Sequence, residues 1–115
     1  MPAIEQVRPG ALAGWIQSQA GGGPAVVLDV REPAELQAAS VKPGAFDLVA
    51  IPMGQIPKRL AELDPDRPTA CLCHHGTRSQ QVALFLAANG FSRVANIAGG
   101  IEAWSAEVDG SVPRY

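Results

Sequence analysis

Short apolar runs alternate along this chain with longer stretches in which apolar side chains recur at helical spacing. Residues 24–30 form a β-branched apolar run that ends in polar residues, as is typical of a strand covered on both faces. Similar runs occupy residues 47–51, 69–73 and 93–97, and a weaker one lies at residues 4–7. The pattern predicts a set of buried strands, with residues 24–30 forming a central parallel strand.

The segments between these runs have the spacing of helices. Leu12, Trp15 and Ile16 would share one face of a helix, and so would Ile56, Leu60 and Leu63. The predicted helices cover residues 9–19, 32–39, 55–63, 79–89 and 101–108, and Gly90 closes the fourth. Strands that alternate with helices imply right-handed crossovers, and therefore an α/β fold with a parallel sheet and helices on both faces.

Length and composition limit what this chain can be. Its 115 residues fit one domain, 1–115, and the Gly- and Pro-rich stretches at 21–24 and 64–68 indicate turns rather than linkers. A net charge of -2 without a basic cluster argues against a nucleic-acid partner. The sequence shows neither a signal peptide nor an apolar run of membrane-spanning length, so we expect no membrane association and a cytoplasmic location.

The strongest chemical signal is the segment at residues 71–79, which reads Cys-Leu-Cys-His-His-Gly-Thr-Arg-Ser. It lies between a predicted strand and a predicted helix, which places Cys73 near a helix N-terminus. Free backbone N–H groups and the positive end of the helix dipole stabilise a thiolate there, and Arg78 adds a positive charge. The two cysteines are one residue apart and lack the geometry for a disulfide, so both are expected to be reduced thiols.

Two further polar segments are expected at the same edge of the sheet. Ligands of parallel α/β sheets bind at the carboxyl ends of the strands. Asp29, Arg31 and Glu32 follow one predicted strand, and Gly99 and Gly100 follow another. Paired glycines permit close backbone approach, so we expect a small crevice lined by backbone amides beside Cys73.

Three sequence motifs in this order resemble those of the rhodanese family of sulfurtransferases. Residues 28–36 (Leu-Asp-Val-Arg-Glu-Pro-Ala-Glu-Leu) are similar to its aspartate-arginine motif, residues 73–79 to its active loop, and residues 96–104 to its closing glycine-tryptophan motif. The resemblance implies a rhodanese-like fold, with a five-stranded parallel sheet flanked by helices on both faces. It also implies a catalytic Cys73 that carries sulfur as a persulfide, without a metal or an organic cofactor.

The resemblance assigns roles to the residues around Cys73. Substrate-binding residues are expected at His74, His75, Gly76, Thr77, Arg78 and Ser79. Asp29, Arg31, Glu32, Gly99 and Gly100 are expected to support the crevice wall rather than to transfer protons. The partners implied are a small sulfur donor such as thiosulfate and an acceptor that is cyanide, a thiol or a sulfur-carrier protein. Residues 108–115 resemble the tail of rhodanese domains fused to adenylylating enzymes that load sulfur carriers, which favours a protein acceptor.

The chain departs from the family pattern at two places. Many members have a His-Ile-Pro-Gly-Ala stretch where residues 40–45 read Ser-Val-Lys-Pro-Gly-Ala, so the family histidine is missing. Many members also place Arg or Lys where His74 and His75 stand. The preferred sulfur donor therefore stays open, and so does the role of each histidine, which either fills the loop or contacts the donor.

Alternative hypotheses were weighed for the same residues. Cys71 is expected to be a buried hydrophobe, whereas Cys73 is either a nucleophile or an inert structural thiol. Arg78 either binds an anion or anchors the loop by pairing with a carboxylate such as Asp29 or Glu32. Trp104 is expected in the core. A non-catalytic binding module is the second hypothesis for the whole domain, although such modules often lack the loop cysteine.

Phosphatase and zinc chemistry are less favoured by this loop. Four residues separate Cys73 from Arg78, whereas the cysteine phosphatase signature has five and forms a wider anion cradle. Five consecutive residues cannot direct four side chains at one tetrahedral zinc ion, and the chain has no other Cys or His. We therefore predict neither activity on phosphate or arsenate nor a metal site.

Overall fold

The computed structural model describes residues 4–19, 21, 23–42 and 44–113, and within them it contains a five-stranded parallel sheet. The strands are β1 (Glu5–Val7), β2 (Val26–Asp29), β3 (Asp47–Ala50), β4 (Thr69–Leu72) and β5 (Val94–Ile97). Each lies within a run predicted from the sequence, so the expected sheet is confirmed. Parts of three segments discussed above lie outside the described residues. They are residue 22 of the turn at 21–24, residue 43 of the stretch at 40–45, and residues 114 and 115 of the tail.

The strand order β1-β5-β4-β2-β3 puts β4 at the centre of the sheet. The chain runs outward from β2 to β3 and then returns to the other side of β2 as β4, so the direction of winding reverses between β2 and β4. Such a reversal opens a crevice beyond the carboxyl ends of the two strands. Leu28 pairs in register with Cys71, which in turn pairs with Asn96, so the ends of β2, β4 and β5 lie side by side.

The helices follow the predicted order with some changed boundaries. They are α1 (Leu12–Ser18), α2 (Pro33–Ala38), α3 (Ile56–Arg59), α4 (Thr77–Ala88) and α5 (Gly100–Glu107). Helix α4 begins two residues before the predicted start, so Arg78 and Ser79 lie in its first turn. The helix predicted at 55–63 is wrong as one unit: α3 is flanked by 3₁₀ turns at Met53–Gln55 and Leu60–Glu62. Pro57 has no N–H to continue a regular helix from the preceding turn.

Alternate residues of each strand pack into cores on opposite faces of the sheet. Val27, Leu72 and Ile97 belong to one core with α1 and α5, and Trp104 is buried there as predicted. Leu28 and Cys71 belong to the other core with α4. This alternation explains why β2 and β4 are buried along their whole length and are mostly apolar. In the part of the chain described, every helix is too short or too polar to span a bilayer.

A buried ion pair fixes the end of β2. The Arg31 guanidinium donates to both carboxylate oxygens of Asp29, from Nε at 2.9 Å and from Nη2 at 2.7 Å, and both residues are almost completely buried. Arg31 Nη1 also donates to the backbone carbonyl of Glu35 in α2, at 3.2 Å. The pair therefore ties the strand to the helix that follows it.

The substitution Arg31→Met tests this tie. It leaves the Asp29 carboxylate buried without its partner, and we expect the free energy of unfolding to fall by about 3–5 kcal/mol. Urea denaturation followed by circular dichroism measures the change. Arg59→Met is the matched control, because Arg59 pairs with Glu62 at the surface, and it should be much less destabilising. Equal losses in the two variants would contradict a special role for the buried pair.

The segment after β5 packs directly on the segment after β4. The N–H of Ile101 donates to the carbonyl of Cys73 at 2.9 Å, and the N–H of Glu102 donates to that of His74 at 3.3 Å. Gly100 makes this approach possible: its φ is +62°, and a Cβ there would lie 2.3 Å from the His74 carbonyl oxygen. A side chain at this position is excluded by both the backbone conformation and the available space.

Gly100→Ala is expected to be strongly destabilising, by roughly 2 kcal/mol or more, because the α5 N-terminus must move away from the loop. Thermal or urea unfolding measures the loss. Gly14→Ala is the control, since a Cβ on Gly14 meets nothing within 4 Å and alanine favours the helix around it. If both variants are as stable as the parent, the close approach at Gly100 is unimportant.

Candidate active site

Cys73 follows the last residue of β4 at the centre of the carboxyl edge, as predicted from the sequence. It is a free cysteine, its exposed fraction is only 1%, and it belongs to the core cluster on the α4 face. The thiol therefore lies at the base of the loop rather than in an open crevice.

Two hydrogen-bond donors point at the sulfur of Cys73. The backbone N–H of Gly76 lies 3.0 Å from Sγ, and the Ser79 hydroxyl lies 3.2 Å from it. Gly76 adopts φ +104°, and this left-handed conformation turns the chain back over the sulfur as α4 begins. The loop thus presents donors that stabilise negative charge on sulfur.

Ser79 is also bound to a residue that sequence analysis did not single out. Its Oγ lies 2.5 Å from Oδ1 of Asn96 in β5, and Asn96 Nδ2 donates to the carbonyl of Gly76 at 3.1 Å. A hydroxyl has one proton, so Ser79 donates either to Asn96 or to the sulfur. A Cys73 thiol can donate to Ser79 while Ser79 donates to Asn96, whereas a thiolate requires the Ser79 proton. The signals in the sequence were a polar residue inside an apolar strand and its place at the start of the motif at residues 96–104.

Arg78 is paired, and its partner is Glu35. The two guanidinium nitrogens Nη1 and Nη2 donate to the two carboxylate oxygens of Glu35, at 2.6 and 2.7 Å. The expected partners, Asp29 and Glu32, were wrong: Asp29 is taken by Arg31, and Glu32 is exposed. Glu35 lies one helical turn after Glu32 and so reaches α4. Arg78 therefore anchors α4 to α2, and its charge is largely balanced beside Cys73.

Glu32 has a local role at the start of α2. Its backbone N–H donates to the Glu35 carboxylate at 3.1 Å, in a capping box at the helix N-terminus. Glu32 therefore helps to fix the start of α2 and the position of Glu35, and its role in a crevice wall stays a prediction. Arg31 contacts the same helix through the Glu35 carbonyl, and the spacing Glu32-Pro-Ala-Glu35 was the signal in the sequence for the capping box.

The two histidines lie together at the outside of the loop. Their rings stack with centroids 3.9 Å apart, and His75 Nδ1 lies 3.0 Å from a carboxylate oxygen of Glu102. Burial lowers the pKa of His74, with the neighbouring His75 as a further cause. A neutral His74 imidazole provides a hydrogen-bonding group without a permanent charge.

The remaining predicted site residues have backbone or surface positions. Thr77 is exposed in the first turn of α4. Gly99 has φ +82°, and a Cβ there would lie 2.6 Å from that of Ala103. Gly99 and Gly100 are therefore requirements of the close packing around the loop, as expected.

Cys71 differs from Cys73 in its surroundings. It lies inside β4 and is completely buried, and this burial raises the pKa of Cys71 to about 12. A thiol in this state is neither a good nucleophile nor a metal ligand. The prediction of a small buried hydrophobe is confirmed for Cys71.

This chain is similar to known proteins in sequence and in fold. The model of the rhodanese-like domain family matches residues 12–107. Thiosulfate sulfurtransferase GlpE of Pseudomonas syringae is 35% identical over 80 residues, which cover 70% of this chain and 72% of the relative. The rhodanese-like/PpiC domain-containing protein 12 of Arabidopsis thaliana is 43% identical over 79% of this chain, which spans only 30% of that relative.

A solved structure agrees with the fold. The rhodanese-related protein of Thermoplasma volcanium superposes with a TM-score of 0.76 and 28% identity, over 97% of this chain and all of the other. The family match covers the strands β2 to β5, the Cys73 loop and the glycine pair. This chain belongs to the rhodanese-like domain family.

Proposed function

We propose that this protein is a sulfurtransferase that moves sulfane sulfur from thiosulfate or a related donor to a thiol or cyanide, through a persulfide on Cys73. The single observation that supports this most is the pair of donors at the sulfur, the Gly76 N–H and the Ser79 hydroxyl. They suit an atom that is anionic before and after sulfur transfer.

In the first step the Cys73 thiolate attacks the outer sulfur of thiosulfate. A sulfur–sulfur bond forms to Cys73, the bond between the two thiosulfate sulfurs breaks, and sulfite leaves with its electron pair. Sulfite leaves with two negative charges, and the one negative charge of the original thiolate is now on the terminal sulfur of the persulfide. The Gly76 N–H, which is already directed at the Cys73 sulfur, would then help to stabilise the persulfide with little reorganisation.

In the second step an acceptor thiolate or cyanide attacks the terminal sulfur of the persulfide. The bond to Cys73 breaks, and the Cys73 thiolate returns as the leaving group to its hydrogen bonds with Gly76 and Ser79. No side chain has to remove a proton from carbon or oxygen. Asp29 and Arg31, locked in their own ion pair, are consistent with a supporting role.

The charge around Cys73 bears on the choice of donor and acceptor. Arg78 is balanced by Glu35, and the two positions after Cys73 are histidines instead of lysine or arginine. The loop therefore attracts a small dianion less strongly than a loop with free cations. We propose that a protein thiol or sulfur carrier serves as the acceptor, in the cytoplasm, where thiols stay reduced.

One observation favours the second candidate, a non-catalytic binding module. Cys73 is 1% exposed, and a donor reaches a buried thiol only when the loop opens. The two candidates differ in whether sulfur becomes attached to Cys73. Direct measurement of that attachment decides between them.

Treatment of the reduced protein with thiosulfate, followed by desalting, should add one sulfur atom, about 32 Da, to its intact mass. Cyanide should remove this mass and release thiocyanate. Cys73→Ser should abolish both, whereas Cys71→Ala, which alters the buried cysteine, should keep them. The same measurement is repeated with a mercapto-acid and with a cysteine desulfurase as sulfur donors, in case thiosulfate is a poor donor for this protein.

An unchanged mass with every donor would support the binding module. Thiocyanate release by Cys73→Ser equal to that of the parent would contradict Cys73 as the sulfur carrier. Hydrolysis of p-nitrophenyl phosphate by the parent above the level of Cys73→Ser would instead favour phosphate chemistry, against the loop-length argument.

Ser79→Ala removes one of the two donors to the sulfur. A hydrogen bond to a charged group contributes roughly 1.5–3 kcal/mol, so alkylation of Cys73 by iodoacetamide at neutral pH should slow by about ten- to a hundredfold. The measurement uses the Cys71→Ala background. Ser105→Ala, which removes a buried hydroxyl bonded to the Val112 carbonyl, is the control and should alkylate at the parental rate. Equal rates in both variants would show that Ser79 does not stabilise the thiolate.

A further inference from the structure

Both histidines of the chain meet a carboxylate from another element at the outside of the Cys73 loop. One nitrogen of His74, one of His75 and one carboxylate oxygen of Glu102 all lie within 4.8 Å of one another. We propose that these three side chains form a binding site for Zn²⁺. The site is distinct from the sulfur of Cys73, and its existence does not depend on sulfur transfer.

The chemistry of the three groups fits this ion. Two imidazoles and one carboxylate form a set of zinc ligands that leaves a fourth position for water or another ligand. Ligand atoms about 2.0–2.2 Å from a tetrahedral ion lie about 3.3–3.6 Å apart. The pair His75 Nδ1 and Glu102 is already at 3.0 Å, and both side chains are about half exposed, at 58% and 43%. The His74 and His75 rings are stacked, with centroids 3.9 Å apart, so at least one ring must turn out of the stack before a nitrogen of each faces the same ion. The exposed positions of His75 and Glu102 leave room for this rotation.

Backbone hydrogen bonds hold together the two segments that carry the three ligands before any ion arrives. The Glu102 N–H donates directly to the His74 carbonyl at 3.3 Å, and the Ile101 N–H donates to that of Cys73 at 2.9 Å. The close approach at Gly100 thus joins the first turn of α5 to the histidine pair. A site assembled in the folded chain loses less conformational entropy on binding than one formed by flexible side chains and backbone together.

The prediction of no metal site rested on cysteine and histidine ligands within residues 71–75. The structure adds a carboxylate from a segment 27 residues after His75, and it leaves the buried Cys71 out. The three-ligand set needs neither cysteine. Glu102 is therefore the residue that separates this proposal from the rejected tetrahedral site.

Isothermal titration of Cys73→Ser protein with ZnCl₂ tests the proposal without the reactive thiol. We expect saturable binding of one ion per chain. His75→Ala and Glu102→Gln, added separately to this background, should each weaken binding by at least about tenfold. Glu62→Gln is the matched control, because Glu62 is an exposed acid paired with Arg59, and it should change the affinity less than twofold.

Nuclear magnetic resonance provides an independent measurement of the ligands. The chain has two histidines, so long-range proton–nitrogen spectra contain two imidazoles, and Zn²⁺ should shift a ring nitrogen of each. Shifts of one imidazole alone, or binding that Glu102→Gln leaves unchanged, would overturn the three-ligand site. Absence of saturable binding would overturn it as well.

A bound ion would also affect the proposed sulfur transfer, and this consequence rests on that proposed function. Zn²⁺ would hold His74 and His75 at the entrance to the loop and restrict access to Cys73. Micromolar Zn²⁺ should therefore slow thiocyanate formation by the parent, and Glu102→Gln should be less sensitive. An inactive parent that still binds Zn²⁺ in the titration would refute the sulfur transfer and leave the metal site intact.

Discussion

The buried pair of Asp29 and Arg31 is the interaction on which the geometry of the site depends. Burial of two charges is costly, and it is tolerated here because the guanidinium and the carboxylate satisfy each other in a two-pronged contact. Arg31 extends this order to α2 through the Glu35 carbonyl. Glu35 then extends it to α4 through Arg78, so the end of β2 is connected to the first turn of the helix after Cys73.

These contacts explain why the arginines near Cys73 have structural roles, while uncharged groups contact the sulfur. Arginines near a reactive cysteine suggest anion binding, yet Arg31 after β2 and Arg78 in the first turn of α4 both connect elements. What faces the sulfur is a backbone N–H and a hydroxyl, which are dipoles instead of full charges. Such donors stabilise a thiolate or persulfide without binding competing anions tightly.

The fold and the position of the nucleophile could be predicted because each follows from local pattern. The mostly apolar β2 and β4 indicated central parallel strands, and the segment from Cys73 to Arg78 had to lie at their carboxyl edge. The sequence pattern predicted one helix at 55–63, whereas the structure has a short helix between two 3₁₀ turns. The spacing of apolar residues does not take account of Pro57, which interrupts regular helical hydrogen bonding. Helix boundaries depend on such single residues.

Contacts between distant segments were beyond the reach of the sequence pattern. Glu35, Asn96 and Glu102 all lie within or beside motifs that were recognised, but their roles depend on which side chain each meets across the sheet edge. From the sequence, Asp29, Glu32 and Glu35 were all possible partners for Arg78. The structure shows that Glu35 forms the pair, because α2 places its side chain toward α4. Asn96 acquires its role from the register of β5 against β4.

The two helix ends beside Cys73 have opposite relations to the loop. Gly76, at the start of α4, directs its N–H toward the sulfur, while the first N–H groups of α5 take up the carbonyls of Cys73 and His74. Carbonyl oxygens that would repel an anionic sulfur are thereby turned outward and neutralised by hydrogen bonds. The loop therefore directs an N–H donor, with its partial positive charge, at the sulfur. Its carbonyl oxygens, with their partial negative charge, are hydrogen-bonded by the first turn of α5.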